Sequence, residues 1–183
     1  MRQVLGILAA ATLVAAPSIQ AQDKQSSPNV ELTVYLLSGA TQGTGTDDVP
    51  QDLSSAVKQL HGVFSYKSYK LSESFVLRGR SSGPQEFAHA NTQGILPGTG
   101  LHYSFNYNRV RISPEKPRTI HIDGLQINLH TVTGSPSNRH NETVASIATD
   151  LDLGEGQKTV VGKSSINNAG DALILVIVPK VIE

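Results

Sequence analysis

The chain has 183 residues, balances 15 lysines and arginines against 15 aspartates and glutamates, and contains no cysteine. That balance excludes the dense cationic surface that nucleic-acid phosphates or anionic lipids require, and the missing thiols exclude disulfide staples, a cysteine nucleophile and a thiolate metal centre. The length suits one domain, which buries about 68–70% of its unfolded surface and needs no staple.

The first 21 residues read as a secretory signal. Arg2 supplies the positive start, Val4 to Ala16 is an apolar run, Pro17 and Ser18 break it, and Ala21 offers a small residue for cleavage before Gln22. The run is about 13 residues, short of the ~20 that a spanning helix needs. No cysteine follows it, which argues against a lipid anchor. The exported chain then carries one net negative charge, because the signal removes Arg2 and no acid. Residues 22–29 are a polar leader, and 30–183 are expected to form a single β-rich domain.

Val30 to Ser38 places Val30, Leu32, Val34 and Leu36 at every second position, the period of a strand with one buried face. The Gly- and Thr-rich stretch from Gly39 to Gly45 reads as a loop. One helix follows. Asp47, Asp48, Pro50 and Asp52 suit its first turn, where orphan amides and the helix dipole favour acids and proline. Leu53, Val57 and Leu60 form its apolar stripe, and His61-Gly62 is its expected end. This helix is predicted to lie on a sheet face.

Two strands are expected at Ser68 to Ser72 and Ser74 to Arg78, continuous with a bend. Ser81 to Gly100 reads as a long irregular connection, a length that points to a functional or mobile loop. Leu101 to Ile112 has strand composition and places Tyr103, Phe105 and Tyr107 on one face. Arg118 to Val132 contains Asp123-Gly124 between alternating runs, which predicts a two-residue hairpin pairing Ile122 with Leu125 and Ile120 with Ile127. Gly134 to Asn141 reads as a polar loop, Glu142 to Leu153 as an alternating strand, and Lys158 to Ile166 as another. Leu173 to Val178 is apolar on both faces, the pattern of a buried central strand ended by Pro179. The fold class is therefore α+β, mainly antiparallel β, sandwich-like, with one helix packed on a sheet face. Val34, Leu36, Leu53, Val57, Leu60, Ile120, Ile122, Leu125, Ile127, Leu129, Leu173, Leu175 and Ile177 are predicted to be buried together.

Chemistry-bearing motifs are sparse. The sequence holds no glycine-rich phosphate loop, no nucleophile elbow and no His-Glu-x-x-His. The six histidines are scattered; the predicted hairpin sets His121 opposite Gln126 and leaves His130 beside Pro117, so the spacing makes no ligand pair. Asp150 and Asp152 share a strand face, with Leu151 and Leu153 turned inward, which reads as a solvated face. No catalytic, cofactor or metal residues are assigned, and a binding protein is expected in preference to an enzyme. The one candidate ligand platform is the row Tyr103, Phe105 and Tyr107, whose ordinary alternative is core packing.

At the C-terminus, Gly156-Gln-Lys-Thr-Val-Val-Gly162, a short turn, and Leu173-Ile-Leu-Val-Ile-Val-Pro-Lys-Val-Ile182 resemble the closing hairpin of the secretin family, the multimeric outer-membrane gates of type II and III secretion and type IV pili. Val30 to Ser38, Leu53 to Leu71 and Leu101 to Leu129 resemble the family's opening strand, helix with following strand, and middle strands. The segment between Gly162 and Leu173 is shorter than the family's, and these 183 residues carry no ring-building domains. The resemblance implies an exported envelope interaction or scaffold module, an accessory of a secretion or pilus-type assembly, with a protein partner or self-association in the envelope. The signal points to a periplasmic, outer-membrane-associated or secreted location, with peripheral outer-membrane contact; the charge balance argues against nucleic acid, and the short apolar run against a transmembrane helix in the mature chain. The alternative is a periplasmic or secreted small-ligand or glycan-binding β domain.

Overall fold

The computed structural model describes residues 28–43, 45–81, 89–135, 138–167 and 169–182. The signal of residues 1–21 and most of the expected leader lie outside them. Nine strands and one helix follow in chain order: β1 (Asn29–Ala40), a 3-10 turn (Gln51–Leu53), α1 (Ser54–Val63), β2 (Ser68–Arg80), β3 (Ala90–Ile95), β4 (His102–Tyr107), β5 (Arg109–Ile112), β6 (Thr119–Ser135), β7 (Asn138–Gly154), β8 (Thr159–Ser165) and β9 (Ala172–Ile182). Asn29, expected in the leader, already pairs with Arg80 and Ile182.

The strands form two antiparallel sheets. The first has the order β2-β1-β9-β8; in the second β3 pairs β4, while β6 pairs β4 and β5 on one side and β7 on the other. The inner faces meet in one core. Val30, Leu32, Val34 and Leu36 of β1 and Leu173, Leu175 and Ile177 of β9 pack with Tyr103, Phe105 and Tyr107 of β4 and the apolar row of β6. Burying each such aliphatic side chain contributes about 1.5–3 kcal/mol. Among the described residues the fold is mainly antiparallel β with a single short helix, as the periodicities predict.

The outer face of the first sheet carries a second core. Leu37, Ile174 and Val176 turn away from the sandwich and pack with Leu53, Val57 and Leu60, the helical stripe. This explains why β9 is apolar at every position from Ala172 to Ile177: it is central in its sheet and covered on both faces. All thirteen residues predicted as core are buried, but not together. Leu53, Val57 and Leu60 belong to the helix layer and the rest to the sandwich.

Local expectations are corrected at several points. Asp47 and Asp48 do not cap the helix. Asp48 bridges β2, and an Asp47 carboxylate oxygen accepts the Tyr69 N–H at 2.8 Å. Gly62 lies within the helix, which ends against Phe64. The two expected strands after the helix are one, β2, bulged opposite Leu36 and Leu37. The connection from Ser81 to Gly100 is not irregular throughout: Ala90–Ile95 is a strand paired with β4, and residues 82–88 lie outside the described residues. Leu101 to Ile112 is interrupted at Asn108, giving β4 and β5. The polar stretch Gly134 to Asn141 is mostly strand, because β6 runs to Ser135 and β7 starts at Asn138.

Asp123-Gly124 does not turn the chain. β6 passes straight through it, and the register with β7 shifts between Ile122 and Leu125, a β-bulge with Gly124 at φ +63°. The strand reverses instead beyond Ser135, and Ile122 pairs with Leu151 and Val110. A two-residue hairpin and a one-residue bulge both switch the parity of an apolar stripe, so Ile120, Ile122, Leu125, Ile127 and Leu129 share one buried face either way.

Pro179 does not end β9, which continues to Ile182. The Pro179 carbonyl accepts the Gly156 N–H at 2.7 Å, so its backbone polar side points away from β1. The missing proline N–H therefore removes no rung from the β1–β9 ladder.

Candidate functional site

The predicted aromatic platform is inside the sandwich. Tyr103, Phe105 and Tyr107 are 6%, 0% and 2% exposed, and their strand partners His102, Ser104 and Asn106 face outward instead. Phe75 stacks on Tyr103 at 5.3 Å and meets Phe105 edge-on. Two of the tyrosines lie over glycines in edge strands. A Cβ on Gly94 would sit 2.6 Å from the Tyr103 ring, and one on Gly79 would meet the Tyr107 hydroxyl. The rings cover backbone that has no side chain of its own, a packing role. Burial raises both phenol pKa values, with Glu73 adding to the effect at Tyr103.

The acids and histidines are distributed over the outer surface. Asp150 and Asp152 are exposed, as the alternation predicts, while Leu153 is buried and Leu151 half-buried. His121 lies opposite Asp152, with its ring nitrogen 2.5 Å from the carboxylate, and not opposite Gln126. His130 lies opposite His102, the two rings stacked at 5.6 Å, and not beside Pro117. Both differences follow from the bulge replacing the hairpin. Among the described residues no three metal-ligating side chains gather, and no helix is long and apolar enough to cross a membrane.

The sheet edges differ in character. On one side of the sandwich β8 approaches β7, where the Ser146 N–H donates to Ser164 Oγ at 3.3 Å. Lys163 of β8 folds onto Phe64 and Tyr66 and donates to the Tyr66 hydroxyl at 3.2 Å. On the opposite side β2 is the outermost strand of its sheet. Its first part is covered, because the Asp48 N–H donates to the Tyr69 carbonyl and the Leu71 N–H to the Asp48 carbonyl. Its second part, Ser74 to Arg80, pairs only with β1 among the described residues.

The direction of that open edge can be derived. The Ser81 N–H donates to the Pro28 carbonyl, on the β1 side. In an antiparallel pair successive residues alternate the side of their N–H and C=O. Arg80, Arg78, Val76 and Ser74 therefore turn their backbone groups outward. Consistently, the Ser74 N–H is bonded by the neighbouring Glu73 carboxylate at 2.8 Å. Val76, at the middle of the edge, is 54% exposed. Arg78 is held by Glu31 at 2.7 Å, and Arg78, Gly79 and Arg80 border an open depression with Asn29 and Ile182. The sequence marks this segment as a strand; that it is an edge follows only from the sheet order. No family model, curated protein or solved structure matches the chain.

Proposed function

We propose that the chain is an exported, non-catalytic interaction module of the cell envelope that works by β-strand addition at the Ser74 to Arg80 edge of β2. A second copy of the chain is its first partner. The observation that carries this reading is the outward N–H and C=O row at Ser74, Val76, Arg78 and Arg80. Strand addition takes its affinity from such a row and its register from the alternating side chains. A two-fold antiparallel pairing centred on Val76 sets Val76 against Val76 and Ser74 against Arg78. Apolar then meets apolar, and no like charges face each other within those three pairs. The export reading is supported by the basic and apolar N-terminal pattern. The scaffold reading is supported by the secretin-like tail, whose two halves are the paired strands β8 and β9.

Light scattering on the exported protein, with and without detergent, tests this. The expected result is a concentration-dependent dimer or larger assembly. Val76→Pro removes one outward N–H from the open side, where proline is sterically tolerated, and is expected to return the protein to a monomer with its fold intact. A parent that stays monomeric across the concentration range would rule out self-pairing at this edge.

A further inference from the structure

The outer face of the second sheet has a chemistry of its own. Because Tyr103 and Phe105 point inward, the cross-strand rungs of the intervening residues point outward. One rung is Gln93, Ser104, Asn128 and Ser146; the next is Asn91, Asn106, Gln126 and Ala148. Solvent-facing strands ordinarily carry lysine, glutamate or threonine. These two rungs hold carboxamides and hydroxyls and no formal charge. Asn128 Oδ1 accepts from Ser146 Oγ at 2.8 Å and from Gln126 Nε2 at 3.4 Å, which ties three of them into one patch. The side chains of Asn91, Gln93, Ser104 and Asn106 have no hydrogen-bond partner among the described residues.

The bulge gives this flat face a hollow. At Gly124 the backbone turns to positive φ, and its N–H donates to Asp150 Oδ1 at 2.6 Å. The Asn108 carboxamide lies across the glycine, so closely that a Cβ there would overlap it. Asn106, Asn108, Gln126, Thr149 and Asp150 ring a depression of 410 Å³ with Gly124 in its wall. Bulges commonly re-aim side chains at binding sites. This one opens a concavity where β4, β6 and β7 each supply polar groups.

We infer that this hollow and the two rungs beside it bind a neutral, hydroxyl-rich glycan. Carboxamides donate and accept at once, as sugar hydroxyls do, and one carboxylate oxygen accepts from hydroxyl groups strongly. Neighbouring strands repeat such groups about every 4.8 Å, close to the advance of one pyranose along an extended chain. Other ligand classes fit less well. A protein partner needs buried aromatic or arginine anchors, a nucleic acid needs clustered cations, and a hard cation needs several carboxylates. The patch offers one carboxylate and no cation, and Ala148 is the sole apolar side chain in the two rungs. The site is separate from the β2 edge and does not depend on strand addition there.

The test is depletion of the full-length exported protein from solution by three insoluble neutral polysaccharides: amorphous cellulose, chitin and a β-1,3-glucan. Binding to at least one is expected, and it should persist at about 1 M salt, where charge interactions are screened within about 3 Å. Asn106→Ala and Gln126→Ala should each weaken it about three- to ten-fold, the effect of losing one hydrogen bond. Ala148→Lys, which adds bulk on the exposed face without touching the core, should weaken it as well, while Val76→Pro should not. Far-ultraviolet circular dichroism confirms that each variant is folded. No binding to any of the three overturns the proposal. So does binding that the three face variants leave unchanged, or binding that salt abolishes.

Discussion

Tyr69 shows how one atom can be out of place in an otherwise satisfied core. Its ring is fully buried between His61 and Tyr66, but its hydroxyl has no hydrogen-bond partner among the described residues. Burial, with smaller contributions from Tyr66 and Asp47, pushes its pKa up to about 12. A folded pKa above the unfolded value of about 10 means that the fold favours the neutral phenol. The stability linked to this group is complete below pH ~10 and is lost as pH rises through 12. Tyr69→Phe is therefore expected to raise stability by about 1 kcal/mol near neutral pH, by removing an unpaired buried hydroxyl. It should also flatten the alkaline limb of a denaturation profile. Asp171 has the opposite sign. The Asn167 amide, then the Thr41 N–H and hydroxyl, donate to its carboxylate and hold its pKa below the ordinary value. Its contribution is present above the unfolded carboxylate pKa and disappears as pH falls through the lowered one. Acid denaturation of Asp171→Asn, followed by tryptophan-free near-ultraviolet or far-ultraviolet dichroism, should lack that component below about pH 4.

Among elements, legibility follows the strength of the periodic signal. β1 and β9 are legible because alternation and a continuous apolar run each have one reading in a sheet. The helix is legible from Leu53, Val57 and Leu60, although its start is not, because Asp47 is used by Tyr69 and His61 instead of by the helix amides. β3 is not legible: Ala-Asn-Thr-Gln-Gly-Ile has little strand propensity. It is a strand because β4 pairs with it and Tyr103 covers Gly94. The tyrosine row is visible as a row, but strand alternation cannot say which face is core when the other face is neutral and polar. For the same reason the carboxamide face is not legible in the sequence, since none of its residues is unusual alone. The assignment of β9 as the shared central strand has a sharp test. Leu175 is fully buried in the sandwich, and Leu175→Asp places an unpaired carboxylate there, at a cost of several kcal/mol. That variant is expected to show no cooperative melting transition; a melt like the parent's would mean that β9 is not central.

At the scale of the whole molecule, the chain is a helix layer on a sandwich, with β1 and β9 serving both cores. The two cores explain how a cysteine-free chain is held without staples: the middle sheet is clamped from both faces. They also divide the surface. The first sheet is closed on its outer face by the helix and open along β2, while the second is open on its face. A lateral edge suits pairing with another strand, and a broad face suits a flat ligand. The two proposed surfaces therefore do not compete, and a pairing of two copies along β2 would carry two polar faces into one assembly. Of these surfaces, the sequence alone shows the strand that becomes the edge but not its exposure, since edge status depends on which strands lie between.

The bulge at Gly124 makes β6 a counting device. Its buried apolar residues are even-numbered before the glycine and odd-numbered after it. An in-frame loss of that single codon would close the bulge and join the two halves into one strict alternation: Ile122 would still pair Leu151 and Leu125 Thr149, with Leu125, Ile127 and Leu129 facing the core as before and Gln126 and Asn128 facing water. The residue that hollows the outer face is thus one the inner face does not need. Inheritance could shorten the strand there by one residue and keep the pairing of everything that follows; what it would lose is the hollow.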